Sequence, residues 1–115
     1  IDDLAGHPKL GESWEGFVVE NVLSVLPDGA GASFYRTAAG AEIDLVLELG
    51  RERWAIEIKR SSAPTLGRGF FGACDDIDAT RRIVVHSGAE AFRLRDGVEA
   101  WPLPHLLHQL VGGRP

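Results

Sequence analysis

Hydrophobic and polar residues alternate along two consecutive stretches near the middle of the chain. In residues 42–49, every second residue is apolar: Ile43, Leu45, Leu47 and Leu49. In residues 53–59, the same period gives Trp54, Ile56 and Ile58. A period of two is typical of β-strands that bury one face. Because only Gly50-Arg51-Glu52 separates the two stretches, we expect them to form a β-hairpin.

The flanking stretches predict further helices and strands. Residues 12–26 have a helical period, with a solvent stripe every fourth residue formed by Glu12, Gly16, Glu20 and Ser24. Pro27-Asp28-Gly29 ends this helix. Residues 1–10 are polar and broken by His7-Pro8, so we expect a lead-in or turn there. The remaining predicted elements are a strand at 32–37, a helix at 65–77, a strand at 82–86, a hairpin at 91–94 and 98–103, and a short helix at 104–111.

The order of these elements predicts the fold class. A helix is followed by three strands, a second helix and a fourth strand, which is an α-β-β-β-α-β order. The connection between residues 57 and 82 contains a helix and is long enough for a parallel crossover. We therefore expect an α/β fold with a mixed sheet flanked by helices, ending in a C-terminal hairpin and short helix, with residues 1–115 as a single domain.

Composition excludes several classes of protein. With 44% hydrophobic and 25% charged residues, the chain resembles an ordinary globular domain. Its net charge of −5 argues against a broadly basic nucleic-acid-binding surface. The single cysteine, Cys74, excludes an internal disulfide framework. Since there is no signal peptide and no apolar run near the ~20 residues that span a bilayer, we expect a cytoplasmic protein without a membrane partner. The chain starts at Ile1 and lacks Met, so we expect a fragment of a longer protein.

Candidate chemistry is concentrated on the predicted hairpin. Glu57 and Lys59 lie two residues apart on one strand, so their side chains share a face, and Asp44 lies on the paired strand. Two carboxylates and the Ile58 backbone carbonyl offer the oxygen ligands that Mg²⁺ prefers. A nearby lysine can neutralise developing charge or orient an attacking water. The pattern indicates a metal-dependent phosphodiesterase-type site. The alternative is a cross-strand salt-bridge cluster on an exposed face of the sheet.

Glu15 interrupts the apolar side of the first predicted helix. Its helical phase falls between Val22 and Leu26, and a buried carboxylate there would need a partner or a metal. The alternative is a position at the rim, with the side chain reaching solvent. Lys59 also stands out because Lys9 and Lys59 are the only lysines among twelve basic residues. Arginine would serve equally well in a plain surface ion pair.

Other residues are weaker candidates. Glu42 shares the face of Asp44 and is either a third acid or a solvated residue at the strand edge. Arg36 and Arg60 flank the site, where they contact either phosphates or structural ion-pair partners. The four histidines show no metal-ligand spacing, so we expect packing or surface roles for His7, His86, His105 and His108. Cys74 is expected to pack inside a helix.

The motifs just described resemble those of a known superfamily. Glu15, Asp44 and Glu57-Ile58-Lys59 match, in order, the PD-(D/E)xK or restriction-endonuclease-like superfamily, with Ile43-Asp44 in place of its Pro-Asp. The flanking stretches GESWEGFVVENVL, FYRTAAGAEIDLVLE and WAIEIKRS are similar to an uncharacterised C-terminal domain of prokaryotic AAA+-like ATPases. The resemblance covers residues 7–103 and implies a restriction-endonuclease-like core.

The resemblance also implies roles for the residues. Asp44, Glu57 and the Ile58 carbonyl are expected to bind Mg²⁺ or Mn²⁺, Lys59 to be the catalytic lysine, and Glu15 to be the helix acid that assists the metal. The function so implied is that of a metal-dependent endodeoxyribonuclease that acts on DNA and is accessory to an N-terminal ATPase domain of the same chain. The alternative is a catalytically inactive nuclease-fold module for protein interaction, homodimerisation or regulation of the ATPase.

Overall fold

The alternating stretches occupy the middle of a mixed sheet in the computed structural model, which describes residues 2–3 and 13–112. Within these residues, the strands are β1 (Asp2–Asp3), β2 (Gly31–Arg36), β3 (Glu42–Leu49), β4 (Glu52–Ile58), β5 (Arg81–His86), β6 (Phe92–Arg93) and β7 (Val98–Pro102). The helices are α1 (Trp14–Val25), α2 (Arg68–Asp76) and α3 (Leu103–Val111). The predicted order α-β-β-β-α-β, followed by a hairpin and a short helix, is confirmed. The prediction for residues 4–10 lies outside the described residues.

The seven strands form one sheet in the order β1-β2-β3-β4-β5-β7-β6. Neighbours from β1 to β4 are antiparallel, whereas β4 pairs with β5, and β5 with β7, in parallel. The crossover through α2 therefore joins parallel strands, as the length of that connection predicted. As a result, β4, β5 and β7 all end at the same edge of the sheet, which we call the carboxyl edge.

Each face of the sheet is covered by helices. On one face, α1 and α3 pack over Leu45, Leu47 and Ile56. On the other face, α2 packs over Val46, Ala55 and Val84. Cys74 of α2 belongs to this second cluster and is 1% exposed, in agreement with its expected packing role. Strands buried on both faces explain why β5 reads as a nearly continuous apolar run.

The regular alternation predicted for residues 42–49 is interrupted in β3. Ser33 of β2 lies opposite Val46, whereas Tyr35 lies opposite Ile43, so two steps along β2 correspond to three steps along β3. This β-bulge places an extra residue between Ile43 and Val46, in the part of the strand that holds Asp44. The prediction that Ile43 shares a face with Leu45 is therefore wrong, because Ile43 packs with the cluster under α2.

Helix α1 begins at a local capping signal. The Ser13 side chain accepts a hydrogen bond from the Gly16 backbone N–H at 3.0 Å, which satisfies one of the free amides of the first turn. The helix buries Gly16, Val18, Val19 and Val22. The predicted solvent stripe is therefore wrong at Gly16, although Glu20 and Ser24 are exposed.

Candidate functional site

The bulge in β3 brings the Asp44 carboxylate to the end of β4. Asp44 Oδ2 accepts a hydrogen bond from the backbone N–H of Ile58 at 2.9 Å. The backbone pairing between β3 and β4 ends at Leu45 opposite Ile56, so the hydrogen bond from Ile58 to the Asp44 side chain extends the contact between the two strands. β-Bulges often redirect a side chain near a functional site. Asp44 is thus attached to both strands of the hairpin.

Glu57 and Lys59 complete the cluster from β4 and the residue just beyond it. Lys59 Nζ lies 3.5 Å from Glu57 Oε2, with the lysine side chain 39% and the glutamate side chain 17% exposed. The carboxyl group of Glu57 also interacts with that of Asp44. Strand alternation predicted the shared face of Glu57 and Lys59, and the structure brings Asp44, Glu57 and Lys59 together.

Burial and mutual repulsion shift the titration of both carboxyl groups. Burial, followed by the negative charge of Asp44, raises the pKa of Glu57 to about 7, although the positive charge of Lys59 opposes the shift. Burial also raises the pKa of Asp44, although the hydrogen bond from the Ile58 N–H lowers it in part. The two carboxylates resist full ionisation in each other's presence. An added positive charge between them would relieve this repulsion.

The Ile58 carbonyl and the two carboxylates form a donor set of oxygens only, which fits a hard cation such as Mg²⁺ or Mn²⁺. Within residues 2–3 and 13–112, no group of three or more His, Cys, Asp or Glu side chains is arranged to hold a metal. A cation here would rely on Asp44, Glu57, the Ile58 carbonyl and water. Mg²⁺ commonly binds proteins through one or two carboxylates and keeps several waters.

Glu15 lies in the first turn of α1, and its side chain is exposed. The preceding residue, Trp14, donates a hydrogen bond from Nε1 to the Lys59 carbonyl at 2.9 Å. This bond brings the first turn of α1 to the carboxyl edge, where β4 has ended. The helical phase of Glu15 matches that of the buried residues, and its exposure agrees with the second of the two alternatives, a position at the rim with the side chain reaching solvent.

The flanking candidates differ in their surroundings. Glu42 is exposed, and its Oε1 lies 3.8 Å from Arg36 Nε, which agrees with a solvated residue at the strand edge and a structural partner for Arg36. Arg60 follows Lys59 and is exposed. The Arg60 carbonyl accepts a hydrogen bond from the Ser87 hydroxyl, which ties the loop after β4 to the loop after β5.

Sequence comparison places the chain in a family. Residues 10–106 match the model of a family described as "Domain of unknown function (DUF4143)". The chain belongs to this family. The expectation of an uncharacterised domain family is thereby confirmed at this coarser level.

Two curated relatives align with most of the chain. The chain is 39% identical over 110 residues to the "Uncharacterized protein Rv2008c" of Mycobacterium tuberculosis and, equally, to the "Uncharacterized protein Mb2031c" of Mycobacterium bovis. The alignment covers 93% of this chain and 25% of each relative, so the DUF4143 chain spans about a quarter of their length. Such relatives are larger proteins with room for further domains. No solved structure matches the chain.

Sequence reasoning missed two features of this DUF4143 site. The bulge at Asp44 depends on how β3 pairs with β2, which no local pattern records. His86 was expected to have a packing or surface role, but it lies at the carboxyl edge with a buried ring nitrogen that lacks a partner among the described residues. The available signal was a polar residue at the end of the apolar run RIVVH.

Among the described helices, none is long and apolar enough to cross a membrane.

Proposed function

We propose that this domain is a Mg²⁺- or Mn²⁺-dependent nuclease that acts on DNA phosphodiesters and belongs to the PD-(D/E)xK superfamily. The observation that carries the proposal is the convergence of Asp44, Glu57 and Lys59 at one edge of the sheet. Their order along the chain, together with the α-β-β-β-α-β core, is what the superfamily resemblance implies. Glu15 follows Trp14, which bonds to the Lys59 carbonyl at this edge, and in this proposal Glu15 assists the metal from the rim.

Each residue has a defined task in this proposal. Asp44 and Glu57 hold the cation together with the Ile58 carbonyl, and the Ile58 N–H fixes the orientation of Asp44. A divalent cation, when bound, supplies Lewis-acid polarisation of the phosphodiester and of an attacking water. The Lys59 ammonium lies beside Glu57, where it can offset negative charge that develops on the phosphate. The partly buried setting strengthens these electrostatic interactions relative to water.

A cleavage assay with matched variants tests the nuclease proposal. Supercoiled, linear duplex and single-stranded DNA are incubated with the chain and Mg²⁺ or Mn²⁺. Lys59→Ala should lower the cleavage rate by roughly 100-fold or more, because an electrostatic stabiliser of the transition state is lost. Asp44→Asn and Glu57→Gln should lower it similarly, while circular dichroism shows an unchanged fold.

The control for the cleavage assay is Glu48→Gln. Glu48 is also a half-exposed carboxylate of β3 with a basic partner, since its Oε2 lies 2.8 Å from Arg53 Nε, but it lies outside the cluster. This variant should cleave like the wild type. If the purified wild-type chain cuts none of the three DNA forms with either metal, the nuclease proposal is wrong.

The ATPase assignment is part of the same proposal. The relatives are about four times as long as the matched region, which leaves room for an additional domain. We infer from the resemblance that the additional domain, N-terminal to this one, is an AAA+-like ATPase. The DUF4143 domain is then accessory to that ATPase. An ATP-hydrolysis assay on a full-length relative, with a Walker-motif variant as control, would test this assignment.

A catalytically inactive interaction module is the second candidate function. Two observations favour it: the net charge of −5, which is poor for binding a polyanion, and a stacked aromatic pair at the start of α1. The Trp14 and Phe17 rings lie 6.0 Å apart, and Phe17 is 50% exposed. Calorimetric titration with Mg²⁺ or Mn²⁺ separates the two candidates. Absent metal binding, or binding that survives Asp44→Ala and Glu57→Ala, supports the module.

A further inference from the structure

His86 is a buried polar residue at the carboxyl edge of the sheet. It is the last residue of β5, and only 1% of its surface is exposed. It is the one buried residue of polar or charged type among those that the structure describes. Buried polar groups are normally hydrogen-bonded, so an exception here requires an explanation.

The parallel register places His86 beside the cluster of Asp44, Glu57 and Lys59. Glu57 lies opposite Val84 and Ile58 opposite Val85, and the Lys59 N–H donates to the Val85 carbonyl at 2.9 Å. If this register is continued by one residue, Lys59 lies opposite His86, just beyond the last pair between β4 and β5. Neighbouring strands lie about 4.8 Å apart, so the two residues are adjacent at this edge. Because side chains alternate along a strand, His86 lies on the same face as Val84, and hence as Glu57.

The hydrogen bonding of the ring defines its tautomer. His86 Nδ1 accepts a hydrogen bond from the Gly88 backbone N–H at 3.0 Å. A neutral imidazole that accepts at Nδ1 carries its proton at Nε2. His86 Nε2 is therefore a donor, and it is buried without a partner in the described part of the chain. An unsatisfied buried donor destabilises a protein, so the fold retains His86 at a cost.

The His86 ring is packed tightly against Gly88 on one side and against the Phe92 ring of a short strand on the other. Gly88 is in close contact with His86, since a Cβ built there would lie 3.1 Å from Nδ1 and 2.9 Å from Ser62 Cβ. On the other side, the Phe92 ring lies 5.3 Å from the imidazole. Phe92 belongs to the two-residue edge strand β6, which pairs with β7 alone among the described strands. Displacement of this short strand breaks few contacts.

We propose that His86 is a further substrate-binding residue, whose Nε2–H donates to a non-bridging phosphate oxygen of the DNA backbone beside Lys59. The inference rests on the proposed nuclease function. A phosphodiester offers acceptor oxygens in two directions, and Lys59 and His86 occupy neighbouring positions at this edge from which each donates to one of them. The Phe92 ring, which covers the imidazole, turns aside to admit the phosphate. The lack of a hydrogen-bond partner for His86 Nε2 is thus explained, because its partner is a phosphate oxygen that is present only in the complex with DNA.

Two variants separate the two ring nitrogens. His86→Asn keeps an acceptor near the Nδ1 position for the Gly88 N–H but removes the donor at Nε2. His86→Gln reaches the Nε2 position with an amide donor but gives up the bond from Gly88. Binding of a fluorescein-labelled duplex oligonucleotide is followed by anisotropy in Ca²⁺ in place of Mg²⁺, so that binding is measured without cleavage. Thermal unfolding of each variant is recorded in parallel.

The two variants should rank in opposite order for duplex binding and for thermal stability. His86→Asn should raise the Kd for the duplex roughly 10-fold or more, the value of a hydrogen bond to a charged group, while its thermal stability stays at or above that of His86→Gln. His86→Gln should bind the duplex within about threefold of wild type. Weak binding by His86→Gln together with normal binding by His86→Asn would assign a purely structural role to the ring and overturn the inference.

Two further outcomes contradict the inference. If both variants bind like the wild type, the Nε2–H contributes nothing to duplex binding and the inference is wrong, whereas the nuclease proposal stands. If the wild-type chain itself binds no duplex, the proposed nuclease function is wrong, and the role of His86 that depends on it is wrong as well. The wild-type measurement therefore distinguishes the two failures.

Discussion

Asp44 combines two roles that place opposite demands on its charge. Its carboxylate accepts the Ile58 N–H and so closes the hairpin at the carboxyl edge. The same charge raises the pKa of the neighbouring Glu57 and is itself partly buried. Without a cation, the hydrogen bond stabilises the fold while the charge destabilises it. Substitutions can separate the two effects because asparagine keeps the acceptor and loses the charge.

We predict that Asp44→Asn raises the stability of the metal-free chain and that Asp44→Ala does not. Both remove the repulsion with Glu57, but Asp44→Ala also leaves the Ile58 N–H without its acceptor. Asp44→Ala should therefore be about 1 kcal/mol less stable than Asp44→Asn. Urea unfolding in EDTA near pH 8 measures the difference. Equal stability of the two variants would show that the hydrogen bond to Ile58 contributes nothing measurable.

At the scale of single residues, sequence predicts what local periodicity controls. The shared face of Glu57 and Lys59 follows from alternation within one uninterrupted strand. The position of Asp44 depends on a bulge against β2, which arises only when strands pair. For Glu15, helical phase gives the direction of the side chain, but exposure depends on where the sheet beneath α1 ends. Both differences arise from packing partners far away in sequence.

At the scale of elements, α2 illustrates how similar sequence signals can have different structural causes. Gly67, Gly69 and Gly72 weaken the helical pattern of residues 65–77, since glycine disfavours helix unless close packing requires it. A Cβ at Gly69 would lie 2.6 Å from the Gly40 carbonyl oxygen, so this glycine allows α2 to approach the turn between β2 and β3. A Cβ at Gly72 would have no neighbour within 4 Å among the described residues. Only the first of these two glycines is required by contact.

Alanine substitutions at these two glycines should therefore have effects of opposite sign. Gly72→Ala should stabilise the chain by about 0.5–1 kcal/mol, because alanine favours helix and the site is open. Gly69→Ala should destabilise it, since a backbone oxygen cannot move aside as a flexible side chain can. Chemical denaturation of both variants beside wild type provides the measurement. A stabilising Gly69→Ala would contradict the close approach of α2 to the β2–β3 turn.

The order of the elements was more predictable than their pairing. Each strand and helix from residue 14 to 111 has a local signal, such as the Ser13 cap or the two-residue connection between Leu49 and Glu52. Pairing joins residues that are distant in sequence. The strand at Asp2–Asp3 was expected to be part of a lead-in, and it exists because it pairs with β2. The adjacency of Lys59 and His86 also follows from pairing, between β4 and β5.

At the scale of the whole molecule, the candidate site and the stability of the fold are thermodynamically linked. The sheet is covered on both faces, so the carboxylates of Asp44 and Glu57 lie where burial opposes their ionisation. A ligand that binds only the folded chain stabilises it, and a cation at this site would do so by binding the ionised carboxylates. Thermal stability can therefore report on the site even without a known substrate.

We predict that the metal-free chain loses stability as pH rises from about 5 to about 8. Glu57 has a pKa of about 7 in the folded chain against an ordinary 4.5, so between these values the folded chain retains a proton that the unfolded chain has released. Its stabilising contribution is complete below pH 4.5 and is lost as pH rises through 7, because the unfolded state then binds fewer protons. The raised pKa of Asp44 acts in the same direction. Differential scanning calorimetry in EDTA should show this as a Tm decrease of a few degrees.

Two comparisons assign this pH effect to the site. Glutamine cannot ionise, so the Tm of Glu57→Gln should vary less with pH than that of the wild type. Glu48→Gln, which lies outside the cluster, should keep the wild-type dependence of Tm on pH.

Mg²⁺ or Mn²⁺ should raise the wild-type Tm more at about pH 8 than at about pH 5.5, because protons compete with the cation for the carboxylates. Glu57→Gln should lose most of that increase. A slope shared by wild type and Glu57→Gln would place the responsible group elsewhere, and a metal-induced Tm increase that is independent of pH would argue against binding by these two carboxylates.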